Sequence, residues 1–168
     1  ANVESLVHGT DLTLARTLRV ERDAVREELG AGPDDIVIGI VANLRREKGN
    51  DVFLDGAALA ITQVPNLRFV SVGQGPLEDE LRAHLARLDA GDRIQMLGYR
   101  QDAVRVMTGF DVFTLTSHHE GLPVSLMDAL GVGLPIVATD VGGVPQAVTH
   151  GVHALLVPPN DPAALAEA

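Results

Sequence analysis

The chain has 168 residues, of which 46% are apolar and 21% are charged, and it contains no cysteine. A chain of this length forms one domain, since a single core usually takes about 100–200 residues. Thirteen basic and 23 acidic side chains give a net charge of −10, which argues against binding to nucleic acid or anionic lipid, although a local basic spot can still hold a small anion. The lack of cysteine excludes disulfides, thiol nucleophiles and thiolate metal sites.

Predicted strands and helices alternate along the chain. A charged helix at 16–29 comes first, and the β-branched run at 36–41 is typical of a strand covered on both faces. Helices are then predicted at 49–61, 77–88, 101–109, 124–132 and 143–149, and strands at 66–72, 94–97, 112–115, 136–139 and 154–157. This alternation indicates right-handed βαβ units, and therefore an α/β fold with a Rossmann-like parallel sheet flanked by helices. Ligands of such sheets bind beyond the carboxyl ends of the strands.

Both ends of the chain look cut. The sequence opens on a strand-like segment at 3–7 and stops inside a helical pattern at 163–168 that has no C-cap signal. Residues 1–15 lack the features of a secretory signal, and no apolar stretch approaches the about 20 residues of a membrane-spanning helix. We therefore expect a piece of a larger protein.

Basic residues and glycines follow the first two strands. Arg45 and Lys48 precede a helix, where side-chain charge, free N–H groups and the helix dipole together favour an anion. A solvated charged loop is the alternative. Gly73 and Gly75 permit close approach of the backbone to a ligand, or mark a tight turn, and the pair at 142–143 carries the same two interpretations.

The segment after the fourth strand combines carboxylates with the start of a helix. Glu120 stands at the strand end, residues 121–124 open the helix, and Asp128 lies eight residues beyond Glu120. The carboxylates suit the hydroxyls of a sugar or ribose and the helix amides suit phosphate, although Asp128 could simply be a partner of the helix dipole. His118 and His119 are adjacent and point apart, without a further ligand motif, so we expect no metal site.

In this order, the motifs closely resemble the C-terminal, donor-binding domain of retaining glycosyltransferases of the GT-B fold, in glycosyltransferase family 4 (glycosyl transferases group 1). The resemblance covers nearly the whole chain. The segments that carry it are 8–11, Asn43-Leu44-Arg45 with Lys48-Gly49, Gly73-Gln74-Gly75-Pro76-Leu77, Leu97-Gly98-Tyr99, Ser117 with Glu120-Gly121-Leu122-Pro123, 133–139, and Gly142-Gly143 with Pro145.

The resemblance implies an architecture and an activity. Residues 1–168 would form a single donor-binding domain, one half of a GT-B enzyme, with the N-terminal acceptor domain absent and the C-terminal end truncated. The full enzyme would transfer a hexosyl group with retention from a UDP- or GDP-linked sugar to a glycan, lipid or small-molecule acceptor, without metal or other cofactor. We expect it in the cytoplasm, or peripheral at the inner membrane face through the missing domain, and we expect the isolated chain to be inactive.

The resemblance also implies residue roles. Glu120 would be the catalytic residue that contacts the donor sugar, and Asp128 would hold the ribose hydroxyls. The other implied positions are Arg45, Lys48, Gly121, Leu122, Pro123, Val124 and Ser125 for the diphosphate, and Gly73, Gly75, Gly98 and Tyr99 for the nucleotide.

Three positions depart from the family pattern. Asp128 and Gln146 stand where glutamate is usual, and Asn43 replaces a common arginine. The changes at Asp128 and Gln146 would affect how the donor is positioned. A nicotinamide-dependent dehydrogenase is disfavoured, because no Gly-x-Gly-x-x-Gly follows the first strand. A sugar-nucleotide epimerase of the same fold and a non-catalytic nucleotide-binding module remain open alternatives.

Overall fold

The computed structural model describes residues 17–168, so the predicted segments at 3–7 and 8–11 lie outside the described residues. A parallel sheet of six strands forms the centre, with the order β3-β2-β1-β4-β5-β6. The strands are β1 (Ile36–Val41), β2 (Leu67–Val72), β3 (Ile94–Gly98), β4 (Val112–Leu115), β5 (Ile136–Thr139) and β6 (Leu155–Val157). The predicted α/β class with a Rossmann-like parallel sheet is confirmed.

Helices cover both faces of the sheet. They are α1 (Arg22–Glu28), α2 (Asn50–Gln63), α3 (Glu78–Leu85), α4 (Ala103–Met107), α5 (Val124–Val132), α6 (Val144–Ala147) and α7 (Pro162–Glu167). Short 3-10 turns occur at Arg19–Glu21, Arg46–Lys48 and Gly91–Arg93. Within the described part of the chain, none of these helices has the length and apolar character needed to cross a membrane.

Several predicted helices are shorter in the structure. The helix predicted at 101–109 spans only Ala103–Met107, because the backbone of Asp102 is not helical. The helix predicted at 143–149 ends at Ala147, since Val148 is extended. The strand predicted at 154–157 begins at Leu155, because Ala154 forms only an isolated bridge with His150.

Two apolar layers, one on each side of the sheet, form the core. One contains Phe110, Phe113 and Leu126, all fully buried. The other contains Phe53 and Phe69, whose rings meet edge to face with centroids 5.8 Å apart. Burial of both faces explains why β1 is a continuous run of apolar residues.

Asp111 ties α1 to the sheet. Its carboxylate accepts hydrogen bonds from the Val37 amide (2.8 Å) and from Arg26 (2.7 Å), and it also pairs with Arg22. Burial raises the pKa of Asp111, but the amide and the two guanidinium groups outweigh burial and leave it below its ordinary value. No pattern in the sequence predicts this anchor.

A topological switch point lies between β1 and β4, where the chain continues to opposite edges of the sheet. β1 leads to β2 on one side and β4 leads to β5 on the other, and the helices that follow, α2 and α5, pack into different apolar layers of the core. Parallel sheets bind ligands in the crevice at such a switch point.

Candidate functional site

A cleft of about 470 Å³ opens beyond the carboxyl ends of β1, β2 and β4. The structure brings most of the predicted site residues together in its wall: Lys48, Gly73, Tyr99, Glu120, Leu122, Pro123, Val124, Ser125 and Asp128. It does not bring Arg45, Gly75, Gly98 or Gly121 into that wall. The Arg45 side chain is exposed to solvent.

Glu120 is held by two donors at the inner end of the cleft. Only 8% of the residue is exposed. Its Oε1 accepts hydrogen bonds from Ser117 Oγ (2.6 Å) and from Lys48 Nζ (2.7 Å). Ser117 is fully buried, so its hydroxyl is a fixed support for the carboxylate. Neither the pairing of Lys48 with Glu120 nor the role of Ser117 was predicted.

The loops after β1 and β4 are bonded into one unit. The amide of His118 donates to Glu47 O (2.9 Å), and Thr116 Oγ1 donates to Gly49 O (2.8 Å). These bonds fix the loop that carries Lys48 against the loop that carries Glu120. The Lys48–Glu120 pair is thus preorganised by hydrogen bonds between the two loops.

Two glycine motifs are explained by close approach of the chain to itself. A Cβ at Gly142 would lie 1.8 Å from Glu120 O, and the amide of Gly143 donates to that same oxygen (3.2 Å). A Cβ at Gly73 would lie 1.9 Å from Ala42 O. Close backbone approach therefore requires glycine at both motifs, the pair at 142–143 supports the Glu120 backbone, and Gly73 also lines the cleft.

The first turn of α5 faces the cleft. Pro123 is the N-cap residue and its side chain provides no capping hydrogen bond. Val124 and Ser125 of the first turn line the cleft, and Asp128 lines it from the second turn. Free amides and the positive end of the helix dipole make this a favourable place for a negatively charged group.

Two large side chains are exposed at the rim of the cleft. Tyr99 is 64% exposed and Val124 is 53% exposed, although both line the cleft. Large exposed apolar side chains at a cleft are typical of ligand contact.

Arg100 also lines the cleft and was not predicted, although it directly follows Tyr99. Its guanidinium is bound by both carboxylate oxygens of Asp102 (2.8 Å each) and by Glu28 (2.6 Å). The Arg100 guanidinium lowers the pKa of Asp102 to about 2. Arg100 is therefore a rigid part of the wall, because three bonds to carboxylates hold it.

His118 and His119 lie outside the wall of this cleft. Over residues 17–168, no three His, Asp or Glu side chains are grouped in a way that could hold a metal ion.

The chain is similar to glycosyltransferases. Residues 35–168 match the family model described as glycosyl transferases group 1. Amylovoran biosynthesis glycosyltransferase AmsK from Erwinia amylovora is 32% identical over 134 residues, which cover 75% of this chain and 33% of that protein. D-inositol 3-phosphate glycosyltransferase from Saccharomonospora viridis is 32% identical over 170 residues, which cover 95% of this chain and 39% of that protein.

A solved structure shares the fold. The crystal structure of Anabaena Alr3699/HepE in complex with UDP-glucose has a TM-score of 0.84 and 27% sequence identity, and the match covers 95% of this chain and 44% of that one. The chain thus spans less than half the length of each of these three proteins. With the family match extending from Asp35 through the cleft to the last residue, the chain belongs to the glycosyl transferases group 1 family and has the Rossmann-like fold of GT-B glycosyltransferases.

Proposed function

We propose that the cleft binds a UDP-linked sugar and that, as part of a longer enzyme, this chain supports retaining transfer of the sugar to an acceptor hydroxyl. Lys48 and the N-terminus of α5 face one cleft at the switch point of the sheet, and this observation carries the proposal. Two sources of positive potential in one cleft suit the two phosphates of a nucleoside diphosphate. The choice of UDP is supported by the Anabaena structure, which holds UDP-glucose in a fold of the same shape.

Lys48 can bind the diphosphate without leaving Glu120. An ammonium group has three N–H donors, and the bond to Glu120 Oε1 uses one of them. Two donors therefore remain for phosphate oxygens. The α5 amides of Val124 and Ser125 would hold the distal phosphate from the other side.

Glu120 would orient the donor sugar. Among the described residues, both donors to its carboxylate bond to Oε1. Oε2 is thereby left to accept hydrogen bonds from sugar hydroxyls. A carboxylate with one oxygen held by Ser117 and Lys48 has its orientation set before the sugar arrives, which reduces the entropy lost on binding.

The main electrostatic contribution of this domain would be to the leaving group. Negative charge grows on the diphosphate as the bond to the sugar breaks. Lys48 and the first turn of α5 are positioned in advance for that charge, so they need little reorganisation during the reaction. The acceptor and the remaining catalytic groups would come from the rest of the longer protein.

Calorimetric titration of the 168-residue chain tests the proposal. UDP and UDP-glucose should bind, and uridine should bind much more weakly. The affinities of GDP and ADP, compared with that of UDP, show which nucleobase the cleft prefers. The proposal is wrong if the folded chain binds no nucleoside diphosphate, or if it binds uridine as tightly as UDP.

A further inference from the structure

A second cavity, of about 240 Å³, lies where the first turns of α2 and α3 approach the loop after β4. Its lining includes Arg46, Asn50, Asp51, Glu80, Leu81 and His118. It is smaller than the about 300–1,000 Å³ of typical sites for drug-sized molecules. It therefore suits a group no larger than about one sugar ring.

Two residues that line this cavity each carry a buried polar atom without a hydrogen-bond partner within residues 17–168: Asn50 Oδ1 and His118 Nδ1. Asn50 is only 4% exposed. Its Nδ2 donates to Asn43 O (3.1 Å), which fixes the amide so that Oδ1 is the unpartnered atom. A buried carbonyl oxygen without a donor costs free energy, and a ligand with an O–H or N–H group would satisfy it.

The other lining groups narrow the chemistry of the ligand. Asp51 and Glu80 offer carboxylate acceptors and disfavour an anion, whereas Arg46, which pairs with Glu80 at 3.5 Å, offers donors and disfavours a metal cation. Leu81, which is 4% exposed, adds an apolar surface. A neutral ring that carries several hydroxyls matches this set, because hydroxyls both donate and accept while the C–H face packs on leucine.

The cavity lies beside the inner end of the donor cleft. Lys48 lines the cleft and Asn50 lines the cavity two residues later, on the same loop and helix start. On the neighbouring loop, Glu120 lines the cleft and His118 lines the cavity. Since Glu120 would contact the donor sugar, a group in the cavity would lie near the sugar end of the donor.

We propose that this cavity is a carbohydrate subsite that holds a hydroxyl-rich part of the glycosyl acceptor. The assignment to the acceptor rests on the proposed function. In this arrangement the donor-binding domain itself contributes to acceptor recognition: Asn50 Oδ1 accepts from one acceptor hydroxyl and the His118 imidazole bonds another.

Solution NMR on the 168-residue chain with labelled methyl groups tests the subsite. The probes are methyl α-D-glucopyranoside, methyl α-D-mannopyranoside, methyl α-D-galactopyranoside and myo-inositol, each titrated with and without saturating UDP-glucose. At least one probe should bind in the millimolar range, give NOEs to the Leu81 methyl groups and the His118 ring, and bind equally well when UDP-glucose is present. NOE contacts in the wild-type chain decide the location without any variant.

Adjacent histidines supply a matched pair of variants. His118→Phe should weaken probe binding about tenfold, because a ring without nitrogen cannot bond the hydroxyl. His119→Phe, at an exposed neighbour outside the cavity, should change it less than about twofold.

The outcomes separate the subsite from the proposed function. If UDP binds and no probe contacts Leu81 or His118, the subsite is wrong while the donor cleft stands. If UDP-glucose displaces the probe, the probe occupies the donor sugar position and the subsite is again wrong. If a probe binds at His118 and no nucleoside diphosphate binds anywhere, the cavity is a carbohydrate site and the proposed function is wrong.

Discussion

Lys48 Nζ lies 2.7 Å from Glu120 Oε1, so the one lysine of the chain joins the loop after β1 to the loop after β4. The pair is largely shielded, with 25% of the Lys48 side chain and 7% of the Glu120 side chain exposed. Binding of a diphosphate beside this pair would add anionic oxygens to an ammonium that is already positioned. In the proposed function, Lys48 would therefore connect the leaving diphosphate with the carboxylate that would contact the sugar.

Replacement of Lys48 should weaken binding of the diphosphate selectively. We expect Lys48→Ala to cost about 1.5–3 kcal/mol of UDP binding, the usual range for a charge-assisted hydrogen bond. Uridine carries no phosphate, so its binding should barely change. Arg45→Ala is the control, and it should cost less than Lys48→Ala because Arg45 lies outside the cleft wall. Calorimetry that finds equal losses for UDP and uridine would mean that the variant damages the fold rather than the anion site.

Ser117 should matter for the sugar more than for the nucleotide. Its hydroxyl supports Glu120 from a fully buried position (2.6 Å). We expect Ser117→Ala to reduce the affinity for UDP-glucose by about 1 kcal/mol relative to UDP, because Glu120 loses one of its two orienting bonds. Ser71→Ala removes another buried serine hydroxyl, on β2, and should leave that difference unchanged. An equal effect of Ser117→Ala on both ligands would assign Ser117 to stability alone.

The isolated chain should bind the donor and yet transfer no sugar. The cleft that would bind the donor is formed within residues 17–168, but the chain spans less than half the length of the glycosyltransferases described above. A partner domain that closes over the donor excludes water and brings the acceptor. Incubation with UDP-glucose and simple sugar acceptors should therefore yield no glycoside. Steady transfer by the purified 168-residue chain would contradict this expectation.

Acid should destabilise the fold through Asp102. The Arg100 guanidinium lowers the pKa of Asp102 from 3.8 to about 2. A carboxyl with a lower pKa in the folded state contributes stability above its unfolded pKa, and loses that contribution as the pH falls through the folded value. The free energy of unfolding should thus fall between about pH 5 and pH 2, and Asp102→Asn should make this fall shallower. Urea titrations at several pH values measure the free energy of unfolding. Asp140→Asn, at an exposed site, is the control, and this variant should lose as much stability between about pH 5 and pH 2 as the wild-type chain.

Strand positions followed from the sequence because burial decides them. The apolar runs at 36–41, 112–115 and 136–139 are strands over the predicted residues, since both faces of the sheet are covered. Helix ends were predicted less well, because the backbone conformation of single residues such as Asp102 decides where α4 begins. The conformation of a single residue has no periodicity that a sequence pattern could detect.

The sequence does not show that the two cations of the first loop have different environments. Arg45 and Lys48 are three residues apart, yet only Lys48 lines the cleft. Arg45 is extended and exposed ahead of the 3-10 turn, whereas Lys48 ends that turn and is half-buried beside Glu120. Glycine motifs are ambiguous for a similar reason: Gly142 has the same sequence signal whether it approaches a phosphate or the Glu120 carbonyl.

Asp128 should bind the ribose at the limit of its reach. It lines the cleft from the second turn of α5, where the family pattern usually has glutamate. Aspartate is one methylene shorter, which draws the carboxylate back by about 1.3–1.5 Å. A hydrogen bond weakens steeply beyond about 3.2 Å, so the contact of Asp128 with the ribose would be long or bridged by water.

Exchange at this position tests the ribose assignment. We expect Asp128→Glu to tighten UDP binding by up to about 1 kcal/mol, because the longer side chain restores a direct contact. Asp128→Asn should weaken binding, because the amide lacks the charge that strengthens the bond to a hydroxyl. Calorimetry with UDP and with 2′-deoxy-UDP supplies the control, since the deoxy ligand lacks one of the hydroxyls that the carboxylate would hold. If the wild-type chain and both variants discriminate the two ligands equally, Asp128 serves the α5 dipole alone and does not bind the ribose.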